Sequence, residues 1–144
     1  MTAHANSTAG PAPRPCNSCP YRVDVPSGIW HPEEYVRLTA YDAPTGEQPA
    51  AVFLCHQTNA GDPSARVCAG WAGCHGSELL ALRLAASSGA MDAAEVAAAM
   101  DYTSPVELWP TGADAAAHGL RDITDPGPAA QALIEKIRTR RNLA

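Results

Sequence analysis

The chain has no run approaching the roughly 18 uninterrupted apolar residues of a membrane span. Its first residues, MTAHANSTAGPAP, hold neither the basic start nor the apolar stretch of a signal peptide. The expectation from both absences is a soluble, cytoplasmic protein with no membrane partner. A surplus of positive charge is also missing: the formal charge is −5, which speaks against bulk attraction to nucleic acid or an anionic surface. There is no phosphate-cradling glycine loop, no HExxH and no defensible Ser/His/Asp order, so no catalytic residue is assigned. No internal repeat is found.

What is present is enough apolar material for one core. At 144 residues and 46% hydrophobic, the composition supports a single domain and gives no case for two. Cysteines stand at 16, 19, 55, 68 and 74. In a reducing compartment structural disulfides are uncommon, and an odd count leaves one over, so metal ligation or redox chemistry ranks above a disulfide framework.

Along the chain, residues 1–13 are mostly Ala, Ser, Thr, Pro and Gly, with almost nothing to bury, and read as a disordered tail. Pro15, Pro20, Pro26 and Gly28 then break any helix, which puts Cys16 and Cys19 on irregular backbone. HPEEYVRLTAYD predicts a short helix with Pro32 in its first turn and Glu33 and Glu34 at its positive end. AAVFLCH predicts a short buried strand ending near Cys55. In VCAGWAGCHGSELLALRLAASSG the second half predicts a deeply buried helix, with leucines at 79, 80, 82 and 84 and a stop at Gly89. MDAAEVAAAMDY predicts another helix with Asp92 as N-cap, and a weak one follows at 112–118. The last is an amphipathic helix in 126–144 with the stripe Ala130, Leu133, Ile134 and Ile137. The expected fold is therefore α+β, mostly α: one small domain over 14–125, with a short strand element and a Pro-rich N-terminal segment tied by a four-cysteine site.

Spacing sorts the possible ligands. The two residues between Cys16 and Cys19 let both sulfurs face one centre, as in zinc knuckles and iron–sulfur loops. In an extended segment Cys55 and His56 face opposite ways, so one of them is chosen, Cys55, and His56 is left behind the ligands. If 68–75 is helical, Cys68 and Cys74 stand about 120° apart around the axis and roughly 9 Å along it, too far to share an ion. His75 lies about 10.5 Å along the axis from Cys68, also too far. The candidate metal set is Cys16, Cys19, Cys55 and Cys68. His56 and Trp71, three residues past Cys68, are the candidate supporting residues, and Cys74 is read as a spare core thiol.

The glycines at 70, 73 and 76 leave one side of the segment bare, so that a cofactor or another backbone can come close. Four thiolates satisfy Zn2+ and a [4Fe–4S] cluster alike. One CxxC pair followed by gaps of 35 and 12 residues, with a Cys-Pro step at 19 and 20, tilts slightly toward the cluster. His31 is read as a helix-entry residue, Trp30 and Trp109 as core or lid residues, and Lys136, Arg138, Arg140 and Arg141 as a solvated helix face.

The ordered string PCNSCPYR, DVPSGIW, EEY, VFLCH, CAGW and HG resembles a cysteine-containing domain of unknown function found in actinobacteria and their phages. The resemblance spans roughly residues 14–125. It implies that the recurring cysteines are Cys16, Cys19, Cys55 and Cys68, with His56 after the third and Cys74 outside the pattern, and it implies no activity. The functional expectation is a non-enzymatic four-cysteine metal- or iron–sulfur-binding protein serving as a small binding or regulatory module. A redox- or oxygen-sensing iron–sulfur protein is the alternative; a CxxC thiol–disulfide oxidoreductase and a nucleic-acid role for the basic C-terminal helix rank below it. A protein partner and the oligomeric state stay open.

Overall fold

The computed structural model describes residues 8–55 and 65–143. Among these residues it is a small, mostly helical domain with very little strand. The α-helices are α1 (Pro32–Ala40), α2 (Ala69–His75), α3 (Leu80–Ser88), α4 (Ala93–Met100), α5 (Gly112–Leu120) and α6 (Pro128–Leu143). None among the described residues is long and apolar enough to cross a membrane.

Local signals explain most of the boundaries. His31 caps α1, its ring accepting from the Glu33 N–H at 3.5 Å, and Pro32 needs no helical donor in the first turn. The helix expected in the second half of the segment is α3, and residues 69–75 before it form a separate helix, α2. Gly76, at φ 62° and ψ −144°, stops α2, a 3-10 turn follows at Gly76–Glu78, and α3 restarts one residue beyond Leu79. The uniform deep burial expected for its leucines is also corrected: Leu79 and Leu82 are fully buried, whereas Leu84 is 41% exposed. Asp92 has the extended N-cap backbone without a side-chain capping bond. The weak helix at 112–118 extends to Leu120 and is capped by the Thr111 hydroxyl, which accepts from the Asp114 N–H at 3.0 Å. In α6, Ala130 and Ile137 are buried and Leu133 and Ile134 half-buried, while Lys136, Arg138 and Arg140 are exposed.

α1 and α5 pack face to face. A side chain at Gly112 would strike the Leu38 carbonyl and one at Gly119 the Tyr35 ring, so these two glycines set how near the helices come. Just past α1, the Asp42 carboxylate accepts from the N–H groups of Gly112 (2.7 Å) and Ala113 (2.8 Å), meeting the free donors and positive end of α5. The core under these helices contains Trp71, Tyr21, Tyr35, Phe53, Leu38, Leu79 and Leu82, all essentially without solvent exposure.

The expected strand shrinks to one rung. Leu54 pairs antiparallel with Val67, the Cys55 N–H donating to Arg66 O and the Cys68 N–H to Phe53 O, both at 2.9 Å. Residues 1–7 lie outside the description, but the rest of the expected tail is engaged. Ala9 adds a parallel rung beside Arg66, the Gly10 N–H donates to Glu95 Oε1 at 2.7 Å, and the Tyr102 hydroxyl donates to Pro13 O at 3.0 Å. Apolar burial was the wrong criterion for residues 8–13, because backbone hydrogen bonds hold them.

A thiol cluster behind the CxxC turn

Cys16 and Cys19 close a tight turn, the Cys19 N–H donating to Cys16 O at 3.0 Å, and the turn is fixed from outside. The Trp30 indole donates to Ser18 O at 2.8 Å, and the next residues pair with a distant segment: Arg22 with Leu108, the Val23 N–H with Glu107 O, the Trp109 N–H with Tyr21 O. Opposite stands the 53–55/66–68 pairing. In that register Cys55 and Cys68 lie on one face, because Leu54 and Val67 form the rung between them and successive strand residues alternate.

The structure brings four of the five thiols together in a series. The Cys19 and Cys68 sulfurs lie 3.8 Å apart, the Cys16 sulfur lies 3.6 Å from the Ser18 hydroxyl, and Cys16 is near enough to Cys19 and Cys55 for both to lower its pKa. All five cysteines are free thiols. Cys19 and Cys68 are buried, Cys16 and Cys55 half-buried. Gly70 lies against the inner end: a side chain there would run into the Cys19 sulfur and the Tyr21 Cβ. Among the described residues no group of three or more His, Cys, Asp and Glu side chains has the arrangement to hold a metal ion as it stands.

The charges of such a cluster are interdependent. Hydrogen bonds from Cys19 and Cys55, with a smaller contribution from Ser18, pull the Cys16 thiol down to about 2. Cys19, bonded to Cys16 and Cys68 and buried, is pushed well above the ordinary thiol value. The cluster stabilises a thiolate at its wet end and resists one at its dry end, so ionising all four sulfurs calls for a cation among them. This donor set fits a soft divalent ion or an iron–sulfur cluster, and Cys16, Cys19, Cys55 and Cys68 would be its ligands.

His56 lies outside the described residues. Trp71 is fully buried, edge-on to Tyr41 at 5.4 Å between ring centres, and among the described residues its indole N–H has no partner. Cys74 is half-buried on the far part of α2, and burial pushes its thiol up to about 12.

Two features escaped sequence reasoning. Arg22 is buried behind the turn. A chain of side chains runs from Tyr21 through His75 to Asp42: Tyr21 Oη lies 2.9 Å from His75 Nε2, and His75 Nδ1 3.8 Å from Asp42 Oδ1. Burial lowers the His75 pKa against the pull of Asp42. The ring is therefore neutral, with the Tyr21 hydroxyl donating to Nε2 and the ring proton on Nδ1 facing Asp42. The second could not be found by motif, because Tyr21 and Asp42 stand 54 and 33 positions from His75, and the first was hidden because Arg22 is met mainly by backbone carbonyls of the turn.

No curated protein and no solved structure matches the chain. A family model matches residues 11–141, nearly the whole length, and the chain belongs to that family, a family of unknown function (DUF6283).

Proposed function

We propose that the protein is a non-enzymatic metal-site module in which Cys16, Cys19, Cys55 and Cys68 hold one tetrahedral ion, zinc in the first place. The observation that carries this reading is the 3.8 Å between the Cys19 and Cys68 sulfurs, with Cys16 and Cys55 continuing the contact. With zinc–sulfur bonds of about 2.3 Å, two sulfurs on one tetrahedral ion lie about 3.8 Å apart. A [4Fe–4S] cube sets a separate iron behind each cysteine and holds its thiolates farther apart. The spacing thus favours a single ion over the cluster to which the cysteine gaps tilt.

An ion would supply the positive charge that lets four neighbouring sulfurs ionise together. The chain's residues do the remaining work: the CxxC turn presents two sulfurs, the 53–55/66–68 pairing presents two on one face, and Gly70 leaves room for Cys19. Structural tetrathiolate sites can contribute about 10 kcal/mol or more, comparable with a whole domain's stability, so the ion would be part of folding.

Elemental analysis and a visible spectrum of anaerobically purified protein test the reading. One zinc per chain and no colour are expected, with the zinc lost from C19S and C68S and kept in C74S. A brown preparation rich in iron and sulfide overturns the single-ion assignment in favour of a redox cluster. Metal-free protein with an unchanged melting curve in chelator overturns the metal site altogether.

A further inference from the structure

Among the described residues Arg22 alone of the charged side chains is buried, at 7% exposure. Taking a guanidinium out of water is expensive unless its donors are met, and here the partners are specific. Nη1 donates to Pro15 O at 3.1 Å and lies 3.4 Å from both Cys16 O and Asn17 Oδ1. Nε and Nη2 donate as a fork to Asp24, at 2.8 and 2.7 Å. One planar group therefore gathers the backbone on both sides of the first cysteine, and Asp24, with its side chain 62% exposed, holds the outer edge.

The charge matters as much as the shape. Four thiolates around a divalent ion carry a net charge of −2, in a place where Cys19 and Cys68 are already buried. Asp24 faces solvent, so its field is screened, whereas the Arg22 side chain is 9% exposed and its charge interacts favourably with Cys19 and Cys16. Lysine, with a single ammonium on a flexible stem, could supply charge but not the fork.

We propose that Arg22 is the positioning residue and buried counter-charge of the thiol site, fixing Cys16 for ligation and offsetting the negative charge of the loaded tetrathiolate. This rests on the metal-site reading above. Outer partners of metal ligands commonly account for about 10–100-fold in affinity, and Arg22 takes that part through the backbone of a ligand.

Zinc affinity is measured by competition with a chromophoric chelator on the full chain, for wild type, R22K, R22M, R22Q and D24N. The sulfur-to-metal absorption of the cobalt(II)-substituted forms is recorded beside it. R22M and R22Q are expected to bind zinc about 10–100-fold more weakly, with R22K between them and wild type and a displaced cobalt band in R22M. D24N, which leaves the contacts to Pro15 and Cys16, is expected to change affinity by less than about fivefold. Wild-type zinc affinity in a folded R22M overturns the proposal and leaves the metal site standing. Should R22M fail to fold, R22K against R22Q decides: tighter binding by R22K supports the role, and equal binding overturns it. A wild-type chain that takes up neither zinc nor cobalt overturns the metal reading and this inference together.

Discussion

Residues 8–31 and residues 79–100 are segments of similar length that both bury apolar side chains, Tyr21, Val25, Ile29 and Trp30 in the first, but whose backbones are held by opposite means. The second is mostly helix: α3 and α4 satisfy their backbone internally, and Leu79, Leu82, Met91, Val96 and Ala99 supply buried apolar surface. The first contains no helix, and its polar backbone is met from far along the chain, by Ala65, Glu95, Tyr102, Glu107, Trp109 and Gly119. A helical segment can lose one contact and keep its shape. An irregular segment fixed by single ties loses its course when a tie goes, and there the cysteines sit. The comparison teaches that the thiol cluster is where this fold needs a cross-link, because local structure is weakest there.

The comparison breaks most sharply if the ion is removed. Chelation, or C68S, should expose the amides of residues 9–31 and 53–55 to hydrogen exchange while those of α3 and α4 stay protected, as expected if about 10 kcal/mol of binding holds only one side together. Uniform exposure would mean that the two regions form one cooperative unit. The reverse experiment is Leu82→Ala, a fully buried truncation expected to cost about 2–5 kcal/mol in denaturant melts of the loaded protein. Its zinc content should stay at the wild-type level, and lost zinc would show that the helical region shapes the site.

Gly70→Ala probes the boundary between the regions. The added methyl meets the Cys19 sulfur and the Tyr21 Cβ, so it should lower zinc affinity well beyond any loss of α2 helicity, alanine being the better helix former. Smaller again is the effect of acid through His75. Its pKa is held below the ordinary 6.5 by burial, so below about 6.5 the unfolded chain binds the proton more readily than the folded one. His75 therefore contributes stability above that pH, which is lost as pH falls toward the lowered folded value. In loaded protein the acid loss from the thiolates is common to all variants, so H75Q should show a shallower decline between about pH 7 and pH 5, and an identical decline would mean that the ring does not titrate with folding. The smallest effect concerns Cys74. Its thiol is pushed up to about 12 by burial, so after chelation it should alkylate more slowly than Cys16 and Cys19 of the released segment, and equal rates would mean that α2 opens with them.

The helices were legible in the sequence because their causes are local: Pro32 and the acidic pair at one helix start, Gly89 with φ 79° at an end, and the apolar stripe of α6. The break at Gly76 was not, because HGSE fits either a continuing helix or a turn, and packing chose. Of the site, the choice of four cysteines followed from strand alternation and helical rise. What surrounds them did not follow. Arg22 looks like any surface arginine until Pro15 and Cys16 turn their carbonyls to it, and Ala9 looks like tail until a rung beside Arg66 is available.

The order of the backbone ties has a consequence for synthesis. The CxxC turn leaves the ribosome early, whereas Glu107, Trp109 and Gly119, which fix the segment following it, are made some 85 to 100 residues later. Contacts so distant form slowly, since a long loop must close before any return is gained. During translation the first two thiols therefore wait without their final scaffold until the segment through Gly119 has been made.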